Sequence, residues 1–184
     1  MYDFVIIHGS YGSPFENWFQ SLYEELTNAG KNVLVPQMPC GEEIQSYDNW
    51  KKALDGYLHL IDENTVFVGH SLAPAFIVDY LLEKKMKVKA VYFAAGFYGL
   101  INIPDFDKVN SRFFFDKDLS EIKNLVEKRV LLISKTDPYV PNELSDQFGK
   151  EIGAEIVYFE DAGHFNKAAG YTSFPYLKER LLKE

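Results

Sequence analysis

Thr65-Val-Phe-Val-Gly-His-Ser71-Leu-Ala-Pro-Ala75 runs from a β-branched and aromatic stretch straight into Gly69-His70-Ser71 and then into helix-forming residues. A strand that turns at once into a helix through such a serine is a nucleophile elbow. The Ser is held in a strained corner with its hydroxyl above the sheet edge, and small residues at minus two and plus two let the backbones pass. Gly69 meets the first requirement. Ala73 stands where G-x-S-x-G has its second glycine, which a methyl-sized residue can do if its backbone is already helical. Taken alone, the pentapeptide fits equally well a serine that merely caps a helix after a buried strand.

Two later sites change that balance. Arg129-Val-Leu-Leu-Ile-Ser-Lys-Thr-Asp137-Pro-Tyr-Val-Pro141 is an apolar strand that stops at Asp137, where Pro138 ends strand pairing and turns the chain. After one more helix and strand comes Ile156-Val-Tyr-Phe-Glu-Asp-Ala-Gly163-His164-Phe-Asn166. Ser71, Asp137 and His164 thus occur in the order nucleophile, acid, base, each just past an expected strand. That is the chain order of α/β-hydrolases and not of the chymotrypsin or subtilisin arrangements. Separately, Asp137 reads as an Asx-turn residue before proline and His164 as a loop residue after glycine. Together with the elbow they make a triad, with Asp161, three residues before the base, as reserve acid.

The chain resembles the small α/β-hydrolase-fold serine hydrolases related to retinoblastoma-binding protein nine and its bacterial relatives. The likeness spans nearly the whole length: His8-Gly-Ser-Tyr-Gly-Ser13, Trp18, Met38-Pro39, Gly69-His-Ser71, Ser134-Lys-Thr-Asp137-Pro-Tyr-Val-Pro141 and Asp161-Ala-Gly-His164-Phe165. By that resemblance Ser71 is the nucleophile, Asp137 the acid and His164 the base. The animal protein's Leu-x-Cys-x-Glu motif has no counterpart in His59-Leu-Ile-Asp-Glu63, so retinoblastoma binding is not expected. Met38-Pro-Cys40-Gly-Glu42 looks like a variant of it, but with Met for Leu and at the wrong place.

Length and composition suit one enzyme domain over residues 1–184: 47% hydrophobic and 16% aromatic content can bury a full core. A net charge of −8 and a pI near 5.1 leave no electrostatic footprint for nucleic acid. The Lys84-Lys85 to Lys89 cluster reads as the solvated end of a helix. Met1-Tyr2-Asp3 leads directly into the first expected strand, without a basic n-region or apolar h-region, and no run approaches a membrane span. A single cysteine, Cys40, cannot form an internal disulfide and fits a reducing compartment. We therefore expect a cytoplasmic protein without membrane contact.

Strand and helix signals alternate. About six strands are expected, near 3–8, 32–36, 65–69, 88–94, 129–134 and 154–159. Helical spacing marks Ser13 to Ala29 and Tyr47 to Leu60. Asp118-Leu-Ser-Glu121 reads as a capping box for a helix through Val126, Pro141 starts the next helix, and Ser173 with Pro175 starts the last. This pattern predicts a three-layer α/β/α sandwich with a mainly parallel sheet. The length and the resemblance together suggest a reduced α/β-hydrolase fold that begins at the third strand of the full one, with no separate lid domain.

A serine hydroxyl is a poor nucleophile at neutral pH, so His164 must take its proton while Asp137 orients and stabilises the imidazolium. An acyl-enzyme intermediate is implied. The oxyanion needs two backbone N–H donors, one after the nucleophile (Leu72) and one from the loop after the first strand. Ser10 and Tyr11 both qualify for the second, and the position directly after His8-Gly9 favours Ser10. Pro74, in the first helical turn, leaves the Leu72 N–H free to donate. His8 and His70 read as buried scaffold, and His59 as an exposed or packed helix residue.

Neither zinc spacing nor a phosphate loop is present: Gly9-Ser-Tyr-Gly12 lacks both G-x-G-x-x-G and G-K-S/T. No metal or cofactor is expected. Phe97 to Lys117 is an aromatic-rich excursion of about twenty residues where this fold inserts lids, and with Tyr11 its Phe97 and Tyr98 are candidate substrate contacts. The expected partner is a small-molecule ester or amide. The rival reading is a non-catalytic binding or regulatory protein on the same scaffold, since a fold does not fix function.

Overall fold

A computed structural model describes residues 1–184. Six strands form one sheet in the order β2-β1-β3-β4-β5-β6, with every adjacent pair parallel. They are β1 (Phe4–Ile7), β2 (Val33–Leu34), β3 (Val66–His70), β4 (Val88–Ala94), β5 (Val126–Ser134) and β6 (Glu155–Phe159). The helices are α1 (Phe19–Asn28), α2 (Tyr47–Asp55), α3 (Ala73–Lys84), α4 (Pro104–Asn110), α5 (Asn142–Glu151) and α6 (Pro175–Leu181). No helix is long and apolar enough to cross a membrane.

Side chains alternate across the sheet, as a pleat requires. Val5 and Ile7 face a core shared with α2, α3 and α5, whereas Phe4 and Ile6 face one shared with α1 and α6. From Ala73 to Leu81 every residue of α3 is buried, because α2 and the excursion after β4 cover the side turned away from the sheet. The chain leaves β1 toward the α1 face and leaves β3 toward the α3 face. These neighbouring strands therefore diverge at their carboxyl ends, and the crevice between them is the topological switch point where ligands of open α/β sheets bind.

Three expected helices are corrected. Ser13 to Trp18 forms turns, because Asn17 has φ of 51°, a left-handed conformation that cannot propagate a right-handed helix, and α1 starts at Phe19. The segment from Tyr47 breaks after Asp55 and resumes as a single 3-10 turn, Leu58–Leu60. Asp118 does cap, accepting the Ser120 N–H at 2.8 Å, but the segment it starts is a 3-10 helix, Leu119–Asn124. Val126 already pairs with Val88 in the sheet, so a helix through Val126 would forfeit that ladder. The excursion after β4 carries α4 and the 3-10 turn Ser111–Phe113.

Candidate active site

Every candidate residue sits past the carboxyl end of a strand. Ser71 follows β3 with φ of 62°, a left-handed corner that costs energy for any residue but glycine. Its N–H is tied to the Ala94 carbonyl at 2.9 Å, so the corner is fixed from the neighbouring strand. Close approach explains the small residues around it. A Cβ on Gly69 would lie 2.8 Å from Ile77 Cδ1 of α3, and one on Gly9 would lie 2.7 Å from the Ser71 Cβ.

Ser71, His164 and Asp137 form one hydrogen-bonded chain. His164 Nδ1 donates to Asp137 Oδ2 at 2.7 Å, which leaves Nε2 as the acceptor facing the Ser71 hydroxyl at 3.0 Å. The pair is shielded, with the His164 side chain 10% and Asp137 4% exposed. Asp137 Oδ1 meanwhile accepts the N–H groups of Tyr139 (2.9 Å) and Val140 (3.1 Å). The Asx turn and the contact to histidine therefore coexist, one carboxylate oxygen serving each. Asp161 points elsewhere: its Oδ1 accepts from the Thr136 hydroxyl at 2.8 Å.

The loop carrying His164 is held by hydrogen bonds from the end of β5, from the turn after it and from beneath. Ser134 Oγ accepts the Ala162 N–H at 3.0 Å, and Thr136 Oγ1 accepts the Gly163 N–H at 3.3 Å. From beneath, buried His70 donates through Nε2 to the His164 carbonyl at 2.8 Å, and Trp18 donates through Nε1 to the Phe165 carbonyl at 2.9 Å. Burial, reinforced by the neighbouring His164, pushes His70 down to about 3, so it stays neutral. His8 serves the loop after β1 in the same way, with Nδ1 donating to the Gly9 carbonyl (2.9 Å) and Nε2 accepting the Met38 N–H (3.0 Å). Burial lowers its pKa too. His59 is exposed on a 3-10 turn.

The N–H groups of Ser10 and Leu72 make no hydrogen bond within the protein, whereas the Tyr11 N–H donates to the buried Gln45 Oε1 at 3.0 Å. That difference separates the two positions left open by sequence: Tyr11's donor is taken and Ser10's is free. Gln45 lies 34 residues from Tyr11, and no local signal marks it.

A cavity of about 190 Å³ opens over Ser71 and His164. Ligand sites usually enclose roughly 300–1,000 Å³, so this one suits a small group. Phe97, Ile101, Phe106, Tyr139 and Val140 form its apolar wall, and Ser10, Glu16, Asn17, Asn110 and Asn166 its polar one. Of the three aromatic candidates, only Phe97 lines it. Tyr98 is turned into the core side of the excursion, donating to Asp79 Oδ2 at 3.0 Å and accepting the Phe115 N–H at 2.7 Å. Tyr11 is 43% exposed, and its hydroxyl donates to the Asp105 carbonyl while its ring meets Phe106 outside the cavity.

The sequence pattern of the family described as serine hydrolase matches residues 4–183. The chain belongs to that family. It is 28% identical over 179 residues to the Bacillus subtilis (strain 168) protein YdeN, which is named as a hydrolase only provisionally, covering 96% of this chain and 92% of that one. The crystal structure of the B. subtilis ydeN gene product superposes with a TM-score of 0.90 at 25% identity, covering 100% of this chain and 98% of that one. A YdeN-like hydrolase from Pectobacterium atrosepticum gives 0.72 at 20% identity, covering 98% and 88%. Polyneuridine aldehyde esterase gives 0.67 at 15%, covering 98% and 97%, a likeness of fold alone. The fold is thus the reduced α/β-hydrolase fold, and the protein is a serine hydrolase.

Proposed function

We propose that this serine hydrolase cleaves small carboxylic esters or amides, with Ser71 as nucleophile, His164 as general base and Asp137 as the acid that orients it. The observation that carries the reading is the chain Asp137–His164–Ser71, linked at 2.7 and 3.0 Å and opening on a small cavity. Because Nδ1 is committed to Asp137, Nε2 is the basic nitrogen at the serine, and it can take the hydroxyl proton as Oγ attacks a carbonyl.

The tetrahedral oxyanion would be held by the free N–H groups of Leu72 and Ser10, donors that need no rearrangement when charge develops. Collapse expels the leaving group, which takes its proton from His164. Water then attacks the acyl-enzyme by the same route in reverse roles. The size of the cavity favours short acyl groups. A fluorophosphonate probe tests the assignment directly: wild-type protein should be labelled, and Ser71→Ala should lose both labelling and ester hydrolysis while melting at a similar temperature. Hydrolysis retained in Ser71→Ala would rule the assignment out.

A further inference from the structure

Asn110 is the last residue of α4, is only 1% exposed, and borders the cavity above Ser71. Its two amide atoms have different fates. Oδ1 accepts the Ser10 hydroxyl at 2.5 Å, which fixes the plane of the carboxamide. Nδ2 has no partner in the protein, yet it is not among the polar atoms sealed from solvent, so the space it faces is the cavity. An enclosed amide donor left unpaired is costly, and proteins rarely keep one without a water or a ligand to fill it.

Position says which part of a substrate that donor meets. The leaving group must lie within reach of His164 Nε2, which gives it its proton. Asn110 instead is bonded to Ser10, whose N–H is free for the oxyanion, and it shares the excursion with the apolar wall of Phe97, Ile101 and Phe106. An acyl chain would run between that wall and Asn110. Chemistry narrows it further. An amide Nδ2 can only donate, and Oδ1 is turned to the Ser10 hydroxyl, so the group that Nδ2 recognises is an acceptor. No lysine or arginine lines the cavity and Glu16 adds a negative charge to its rim, which disfavours a carboxylate.

We propose that Asn110 determines acyl specificity, its Nδ2 donating to a neutral oxygen of the acyl chain (ether, hydroxyl or keto) two or three bonds beyond the scissile carbonyl. The preferred substrates are then esters or amides of short oxygen-bearing acids. The inference rests on Ser71 being the nucleophile.

The test compares chain-matched p-nitrophenyl esters, methoxyacetate against butanoate and 3-methoxypropanoate against pentanoate, in wild type, Asn110→Asp and Asn110→Ala. Each variant's effect on the Ser10 loop is common to both members of a pair and cancels in the ratio of their kcat/KM values. So does the intrinsic reactivity of the ethers when variants are compared. In both variants the ether-to-alkyl ratio should fall about tenfold for at least one pair, as expected for one lost hydrogen bond. A ratio unchanged in both variants and both pairs, with wild type still labelled by fluorophosphonate and active on pentanoate, overturns the proposal and leaves the triad intact. Wild type that neither labels nor hydrolyses any of the four esters overturns the triad reading and this inference with it.

Discussion

Asp137 divides its carboxylate between two tasks, and the division makes a residue-scale prediction. One oxygen organises the turn after β5 through Tyr139 and Val140, and the other faces His164 Nδ1. In Asp137→Asn an amide can still close the turn through its oxygen but can no longer favour the tautomer with a basic Nε2. Turnover of a p-nitrophenyl ester should fall by about 10⁴-fold, with the fold retained. Asp161→Asn should cost far less, because Asp161 contacts Thr136 and not the imidazole. Steady-state kinetics on the two variants decide between them: a larger loss for Asp161→Asn would reassign the acid.

Among the elements, α3 carries an unusual burden. Asp79 lies within its buried stretch Ala73–Leu81, itself fully buried, and binds the excursion through Lys117 Nζ at 2.8 Å and the Tyr98 hydroxyl at 3.0 Å. Burial outweighs both partners and pushes the Asp79 carboxyl up to about 6. Between its unfolded value of 3.8 and about 6, the folded protein therefore holds a proton that the unfolded chain has released. The contribution of this group to stability is present at low pH and is lost as pH rises through that window. Asp79→Asn keeps the shape and one of the two acceptor oxygens and does not titrate, so whatever the lost second acceptor costs is the same at every pH. Its melting temperature relative to wild type should rise from pH 4 to pH 7, by the equivalent of about 2 kcal/mol. Parallel melting curves across that range would mean that Asp79 ionises normally in the fold.

For the molecule as a whole, acid stability is set in part by histidines that lock the carboxyl edge of the sheet. His70 joins the end of β3 to the loop after β6, and His8 joins β1 to the segment after β2. Both are held below the ordinary histidine value, His70 at about 3 and His8 by burial chiefly, so below pH 6.5 the unfolded chain takes up protons that the folded one does not. Stability from these groups is complete above pH 6.5 and declines as pH falls, opposite in sign to the contribution of Asp79. His70→Gln should be less stable than wild type at pH 7.5. The gap should narrow toward pH 5, because glutamine adds no proton uptake to the unfolded state. Thermal melts over that interval check it, and a gap of constant size would contradict a depressed His70.

At that same scale the sequence by itself determined the order of the site and the layers that carry it. Short, near-continuous apolar, β-branched and aromatic runs placed β1 to β6 within a few residues. Turn chemistry at Gly69-His-Ser71, Asp137-Pro138 and Gly163-His164 put Ser71, Asp137 and His164 past strand ends, since such signals lie within a few residues of the atoms they position. Where a residue's fate depended on a distant partner, the pattern fell short. Val126 follows a capped turn but joins the sheet because Val88 is beside it, and Asn17 leaves the helix, its side chain accepting the Lys167 N–H. Tyr98, an aromatic in the right excursion, is drawn away from the cavity by buried Asp79, and Tyr11 loses its N–H to Gln45. Asn110, with no motif around it, meets Ser10 across 100 residues. Local spacing specifies which groups can react. The tertiary structure alone decided which donors stay free and what the cavity can hold, because hydrogen bonds are claimed by whichever partner the folded chain brings within about 3 Å.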